Sequence, residues 1–149
     1  MFSGVFQHSI DAKGRTSLPA KFRELLAAQS ADRLFVTTDL IDDCLVAFAP
    51  ASWQRMAEKI ASLSMFDERT RLLTRSFIAP AQECPVDKLG RILIPPILRE
   101  HAGIGEEITW AGTVERIEVW SPLRWAEVQR KARSVETKAD LAKRLSELL

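Results

Sequence analysis

A fourteen-residue stretch occurs twice in this chain, and its punctuation constrains what each half can fold into. The first copy is Asp11-Ala12-Lys13-Gly14-Arg15-Thr16-Ser17-Leu18-Pro19-Ala20-Lys21-Phe22-Arg23-Glu24. The second is Asp87-Lys88-Leu89-Gly90-Arg91-Ile92-Leu93-Ile94-Pro95-Pro96-Ile97-Leu98-Arg99-Glu100. Asp, Gly-Arg, Pro, Arg and Glu return in register at one constant offset, that of Asp87 from Asp11. This is an internal duplication, so the fold is expected to be two copies of one unit.

Each residue of the unit has a local physical role. Asp11 or Asp87 can fold its carboxylate back onto nearby backbone N–H groups and open a turn. Three residues on, Gly14 or Gly90 supplies a backbone that tolerates positive φ. Arg15 or Arg91 then leaves the turn. The runs Thr16-Ser17-Leu18 and Ile92-Leu93-Ile94 read as short strands that end at proline, a residue suited to the first turn of a helix. Phe22, Leu25 and Leu26 recur at helical spacing, as Leu98 and Ala102 do in the second copy, and Gly103 stands where that helix would end. The predicted unit is strand, tight turn, strand, short helix.

The duplication extends past the motif. Leu34–Thr38 and Cys44–Phe48 read as a β-hairpin across the acidic turn Asp39–Asp43. Glu107–Ala111 and Arg116–Trp120 read as a second hairpin, with Gly112 in its loop. Trp120-Ser121-Pro122-Leu123-Arg124-Trp125 echoes Phe48-Ala49-Pro50-Ala51-Ser52-Trp53, at an offset slightly shorter than that of the turn motifs. The second copy has therefore lost a few residues between its motif and this point. Pro50 opens a helix with a buried stripe of Trp53, Met56, Ile60 and Leu63. Residues 64–76 read as a charged helix joining the halves, and residues 77–86 as the strand leading into the second motif. From Pro122 to Leu149 the pattern is one long helix, with neither Gly nor Pro in residues 123–149. The expected organisation is repeat 1 over 5–54, a helical connector over 55–80, repeat 2 over 81–126 and a C-terminal helix over 127–149.

Composition excludes several classes. Hydrophobic residues are 46% and charged residues 28%, as in an ordinary globular protein. No apolar run approaches the roughly 20 residues needed to span a bilayer, and the start has no signal-peptide pattern. A cytoplasmic protein with no membrane partner is expected. Cys44 and Cys84 are isolated, and with two histidines in the chain no zinc-type spacing can be assembled. Both are expected as buried or half-buried thiols rather than a disulfide. There is no phosphate-cradling glycine loop and no Ser-His-Asp set, so neither an enzyme nor a cofactor is expected.

The pattern Asp-x-x-Gly-Arg-apolar-x-apolar-Pro resembles the AbrB-like family of DNA-binding modules. Two such modules in one chain, with the opening Met1-Phe2-Ser3-Gly4-Val5-Phe6-Gln7-His8-Ser9-Ile10, resemble the MraZ family of bacterial transcriptional regulators. Phe6 stands where that resemblance leads one to expect tyrosine, and Ser17 is polar where the second copy has Leu93. The resemblance implies an α+β fold, a small barrel of intertwined, swapped hairpins with peripheral helices. It implies a DNA-binding regulator that represses its own division and cell-wall gene cluster, acting as a ring-shaped homo-oligomer on promoter direct repeats. A nucleoid-associated location follows from that role. The rival class is an oligomeric interaction scaffold with no DNA role, which the net charge of +1 would suit.

Candidate DNA-binding residues are Lys13, Arg15, Lys88, Arg91, Arg23 and Arg99, with Asp11, Gly14, Asp87 and Gly90 forming the turns. Arg15 and Arg91 have two readings open: pairing with Asp11 and Asp87 to hold the turn, or pointing outward to phosphates and guanine edges. The two are compatible. Lys13-Gly14-Arg15 is the more basic loop tip, because Leu89 occupies the matching place in copy two, so copy one is expected to be the stronger DNA reader. Arg23 and Arg99 are expected on the exposed side of their helices. His8 reads as a packed or capping histidine, His101 as a cation near a helix C-terminus, and Trp53 and Trp125 as equivalent core positions.

Overall fold

The chain reverses at both predicted turns: Gly14 has φ +94° and Gly90 φ +76°. The computed structural model describes residues Met1–Leu149. In chain order the elements are strands β1 (Val5–Ser9) and β2 (Arg15–Ser17), helix α1 (Ala20–Ala28), and the hairpin β3 (Arg33–Thr38) with β4 (Leu45–Phe48). Helices α2 (Pro50–Ala61) and α3 (Glu68–Leu73) follow, with a π-helical turn at Thr74–Ile78. The second half has β5 (Gln82–Pro85), β6 (Arg91–Leu93), α4 (Pro96–Ala102), the hairpin β7 (Glu107–Thr113) with β8 (Arg116–Trp120), and helices α5 (Pro122–Ala132) and α6 (Val135–Leu148). No helix is long and apolar enough to cross a membrane.

The halves exchange strands. β1 runs antiparallel to β7 of the second half, and β5 runs antiparallel to β3 of the first. The two hairpins meet along β4 and β8, giving a six-stranded antiparallel sheet in the order β1-β7-β8-β4-β3-β5. β2 and β6 form a separate two-stranded ribbon. The registers carry the duplication's pseudo-symmetry. Leu45 pairs with Val119 and Ala47 with Ile117, and each pair maps onto the other when the first hairpin is laid on the second. Arg15 pairs with Leu93, Thr16 with Ile92 and Ser17 with Arg91, which is likewise self-symmetric.

Alternation along the strands sends side chains into two cores. Leu34, Val36, Leu45 and Ala47 face a main core shared with Ile108, Trp110, Ile117 and Val119. Helices α1 and α4 close it with Phe22, Leu26, Leu98 and Ala102, and Ile92 contributes from beneath the ribbon. Phe6 packs edge-on to Phe22 at 5.3 Å, so an aromatic ring suffices at that position. The other face of β4 buries Val46 and Phe48 against Ile60, Phe77 and the half-buried Trp53 and Met56. Trp53 also stacks on Phe35 at 5.6 Å, and its counterpart Trp125 packs on Trp120 at 5.8 Å, both structural uses.

Four expectations are corrected. Residues 77 and 78 are helical, and the strand predicted over 77–86 is confined to Gln82–Pro85. Phe77 is claimed by the second core, and Thr37 and Thr38 donate hydroxyl hydrogen bonds to the carbonyls of Phe77 and Ser76 at 2.6 and 2.8 Å. Gly112 lies inside β7, with Val114 in the loop instead, because the N-terminal backbone crosses it: Gly112 N–H donates to Gly4 O at 2.9 Å. A Cβ there would stand 2.7 Å from the Phe2 carbonyl carbon. The C-terminal helix is two helices. Ser134 ends the first and caps the second, accepting from Thr137 N–H. Leu63, assigned to the buried stripe of α2, is 46% exposed just beyond that helix.

Cys44 and Cys84 are free and buried. Burial pushes the Cys44 thiol well above the usual range, and burial, helped by Glu83, pushes Cys84 up to about 12. The thiolate is the reactive form. Native protein at neutral pH should therefore resist iodoacetamide at both positions, with full labelling in guanidinium, as read by intact-mass spectrometry.

Candidate nucleic-acid interface

Each Asp carboxylate organises a whole turn. Asp11 Oδ1 accepts from the N–H groups of Lys13 (3.0 Å) and Arg15 (2.9 Å), while Oδ2 accepts from Arg15 Nε at 2.7 Å. Asp11 N–H donates to Arg15 O at 3.0 Å, and Gly14 N–H to Asp11 O at 2.9 Å. The second turn repeats this atom for atom. Asp87 Oδ1 accepts from Leu89 and Arg91 N–H, both at 2.9 Å, and Oδ2 from Arg91 Nε at 3.0 Å. Hydrogen bonds to a charged carboxylate favour its ionised form. The Arg15 backbone N–H and guanidinium, with Lys13 N–H, hold Asp11 at about 2, and the Arg91 N–H lowers Asp87 in the same way.

Both readings of the arginines are compatible with this geometry. Each uses Nε on its aspartate, which fixes the plane of the guanidinium, and neither Nη atom of Arg15 or Arg91 has a protein partner. Pairing of β2 with β6 sets the two arginines on one outward face, while Thr16 and Ile92 between them point into the core. Arg15 and Arg91 are diagonal neighbours, a relation that separates residues by about 7–8 Å. Ser17 and Leu93 occupy the remaining outward places, so a serine there leaves the core intact. Lys13 and Lys88 are exposed with no side-chain hydrogen bond or ion pair.

Arg23 and Arg99 are not on an open helix face. Both are half-buried. Arg23 Nη1 donates to Leu18 O at 2.7 Å, and Arg99 Nε to Ile94 O at 3.0 Å. Each lies over the glycine of the opposite turn, Arg23 over Gly90 and Arg99 over Gly14. Sequence reasoning placed Leu89 at the second loop tip but missed this crossing and the exposure of Leu93 beside the arginines. The apolar tip was legible as the partner of Lys13; the crossing was not, because it depends on strand exchange. His8 is a packed residue: Nδ1 donates to Ser17 O, which ties β1 to the ribbon. His101 is exposed in the last turn of α4.

Comparison with known proteins decides the family. The family model described as "MraZ protein, putative antitoxin-like" matches twice, over residues 1–76 and 77–146. The chain belongs to the MraZ family. The second MraZ match is displaced from the first by the same interval that separates Asp87 from Asp11, so each match carries one turn. A "Transcriptional regulator MraZ" of Caldanaerobacter subterraneus is 42% identical over 130 residues, covering 87% of each chain. One from Acetivibrio thermocellus is 43% identical over 125 residues, or 84% of each chain. Another from Lachnoclostridium phytofermentans is 40% identical over 147 residues, spanning 99% of this chain and 96% of its own.

The MraZ turn geometry sets two expectations. A carboxylate with a depressed pKa stabilises the folded state above its unfolded pKa, 3.8 for Asp11, and the contribution is lost as pH falls through the folded value of about 2. Thermal melts should show wild type losing stability between those limits, with a flatter profile for Asp11→Asn. Gly14→Ala meets φ +94°, the Ile94 backbone carbonyl oxygen and, at 2.9 Å, Arg99 Nε, and should cost about 1–3 kcal/mol by denaturant titration. Gly105→Ala, with open space around it, should cost much less.

Proposed function

We propose that this chain is a sequence-specific double-stranded DNA-binding transcriptional regulator, a repressor of its own division and cell-wall gene cluster. The observation that carries the reading is the β2–β6 ribbon with two outward arginines whose four Nη atoms have no protein partner. A two-stranded ribbon fits the major groove, and arginine reads guanine O6 and N7 with paired donors. The diagonal separation of about 7–8 Å is close to two base-pair steps of about 3.4 Å. Lys13 and Lys88 flank the arginines as phosphate contacts. The names of the relatives support the regulatory role. The exchange of β1, β5 and the ribbon strands between halves supports reading the architecture as an AbrB-like swapped-hairpin barrel.

A chain of net charge +1 gains little long-range attraction to DNA, so one subunit binds weakly. A homo-oligomeric ring, nucleoid-associated when bound, presents the same ribbon several times in one orientation. Head-to-tail subunits match direct repeats rather than a palindrome. Repeats near one helical period, roughly 10 bp, put successive ribbons on one face of the duplex, and avidity rises by about 10²–10⁴.

Mobility shifts with DNA from upstream of the chain's own coding sequence test this. In-phase repeats should bind tightly. A single repeat, or repeats spaced by an extra half-turn of about 5 bp, should bind poorly. Arg15→Ala should cost about 1–3 kcal/mol of binding per contact, with only the small loss of thermal stability expected of an exposed ion pair, and Arg91→Ala should cost less binding, since Leu89 replaces the tip lysine. Equal affinity for all three DNAs would overturn the multivalent mechanism. Salt-independent binding, or none, would favour the interaction scaffold, and light scattering that gave one chain's mass would remove the ring.

A further inference from the structure

We propose that Arg23 and Arg99 are positioning residues that act crosswise. Arg99, on the second repeat's helix, sets the aim of Arg15, and Arg23, on the first repeat's helix, sets the aim of Arg91. The inference rests on the reading of the Gly-Arg turns as the contact surface, and gives the helix arginines a role different from touching DNA.

The geometry carries it at both ends of the pseudo-two-fold. Gly14 sits beneath Arg99 and against the Ile94 carbonyl that Arg99 bonds: an added Cβ would meet that carbonyl oxygen first, then stand 2.9 Å from Nε and 3.2 Å from Cζ. Gly90 sits beneath Arg23, where an added Cβ would stand 2.6 Å from Nη1 and 2.9 Å from Cδ. Neither guanidinium is free to swing away, because Arg99 Nε is bonded to Ile94 O and Arg23 Nη1 to Leu18 O. Those two residues also bond the opposite glycines: Ile94 N–H donates to Gly14 O at 2.8 Å, and Leu18 N–H to Gly90 O at 2.9 Å.

Each turn is thus gripped from above by an arginine and at its carbonyl by an amide, both from the other repeat. The next residue after each gripped glycine is the outward arginine. Its Asp fixes the guanidinium plane from within the turn, and the opposite repeat fixes the turn as a whole. A shift of Gly14 or Gly90 would move the paired Nη donors off a target that tolerates little displacement. Arg23 and Arg99 are half-buried and already bonded, whereas Lys13, Lys88 and the Nη atoms of Arg15 and Arg91 remain available to DNA.

Positioning of the opposite turn, direct phosphate contact and support of the arginine's own turn give different results for Arg99→Ala and Arg23→Ala. Amide NMR of the full-length, DNA-free protein reads positioning directly. Arg99→Ala should shift the Gly14 and Arg15 amides and speed their hydrogen exchange, leaving Gly90 and Arg91 unchanged; Arg23→Ala should do the reverse. Mobility shifts with the upstream duplex then read the consequence. Arg99→Ala should weaken binding roughly three- to thirty-fold. That loss should fall to about twofold or less when Arg15 is already alanine, and persist in full when Arg91 is alanine. The slope of log affinity against log salt should be unchanged, whereas loss of a phosphate contact lowers it by about 0.9.

Perturbation of each arginine's own turn, equal coupling to both turn arginines, or a reduced salt slope would each overturn the proposal. Should an alanine variant fail to fold, Arg99→Lys and Arg23→Lys, which keep the charge and remove the fork, are read in the same way. If wild-type protein binds no DNA while the crossed amide pattern is present, the functional reading fails and the crosswise positioning stands. If DNA binds and the crossed pattern is absent, the reverse holds.

Discussion

The fold depends on the pairing of β2 with β6. Each is a three-residue strand and neither has a ladder partner in its own half. β1 has its ladder with β7, and the only backbone bridge to its own repeat is between the adjoining Ile10 and Thr16. A single half would therefore retain one hairpin and unpaired strands. An isolated two-stranded hairpin is at best marginally stable in water, and buried unpaired backbone groups are costly. Folding must bring both halves together, and the site forms in the same event, because the ribbon that closes the fold is the surface that carries Arg15 and Arg91.

The sheet's second face shows how the symmetry is relaxed. On the β3–β4 side it is covered by α2 and by Phe77 from the π-helical turn, so the connector between the halves becomes part of the core. On the β8 side α5 takes the matching place, with Trp125 on Trp120. Arg124 fastens that helix, donating Nη1 to the carbonyls of Asp43 and His101 at 3.1 and 3.0 Å. α6 continues past Ser134 with every Leu on its surface exposed, which leaves its apolar stripe outside the fold.

Electrostatics in the turns works at short range. Each aspartate offsets the charge of its arginine and so reduces the field at a distance, consistent with a near-neutral chain. It also restricts the guanidinium by holding Nε. What remains is a pair of oriented donors on each side of the ribbon. For the proposed DNA contact, this favours recognition at contact distance over steering from afar, and explains why affinity would come from repetition.

The sequence by itself determined everything that depends on neighbours along the chain. Asp11 and Asp87 capping N–H groups two and four residues on, the positive φ at Gly14 and Gly90, the start of helices at Pro50, Pro96 and Pro122, and both hairpins are local matters of sterics and hydrogen bonding. The duplication was legible because those requirements recur at one spacing. Where local pattern competed with long-range packing, the tertiary structure decided: Phe77 left its predicted strand for the second core, and Gly112 joined a strand because the N-terminus crosses it. Strand exchange was decided there too, since a strand's pattern specifies a buried face but not which edge supplies its ladder. From that exchange came the features no local reading contains: Arg15 and Arg91 on one ribbon, and Arg23 and Arg99 across the opposite glycines. The partner of each lies in the other half of the sequence, as Gly90 does for Arg23, and proximity over that distance is set by how the whole core closes.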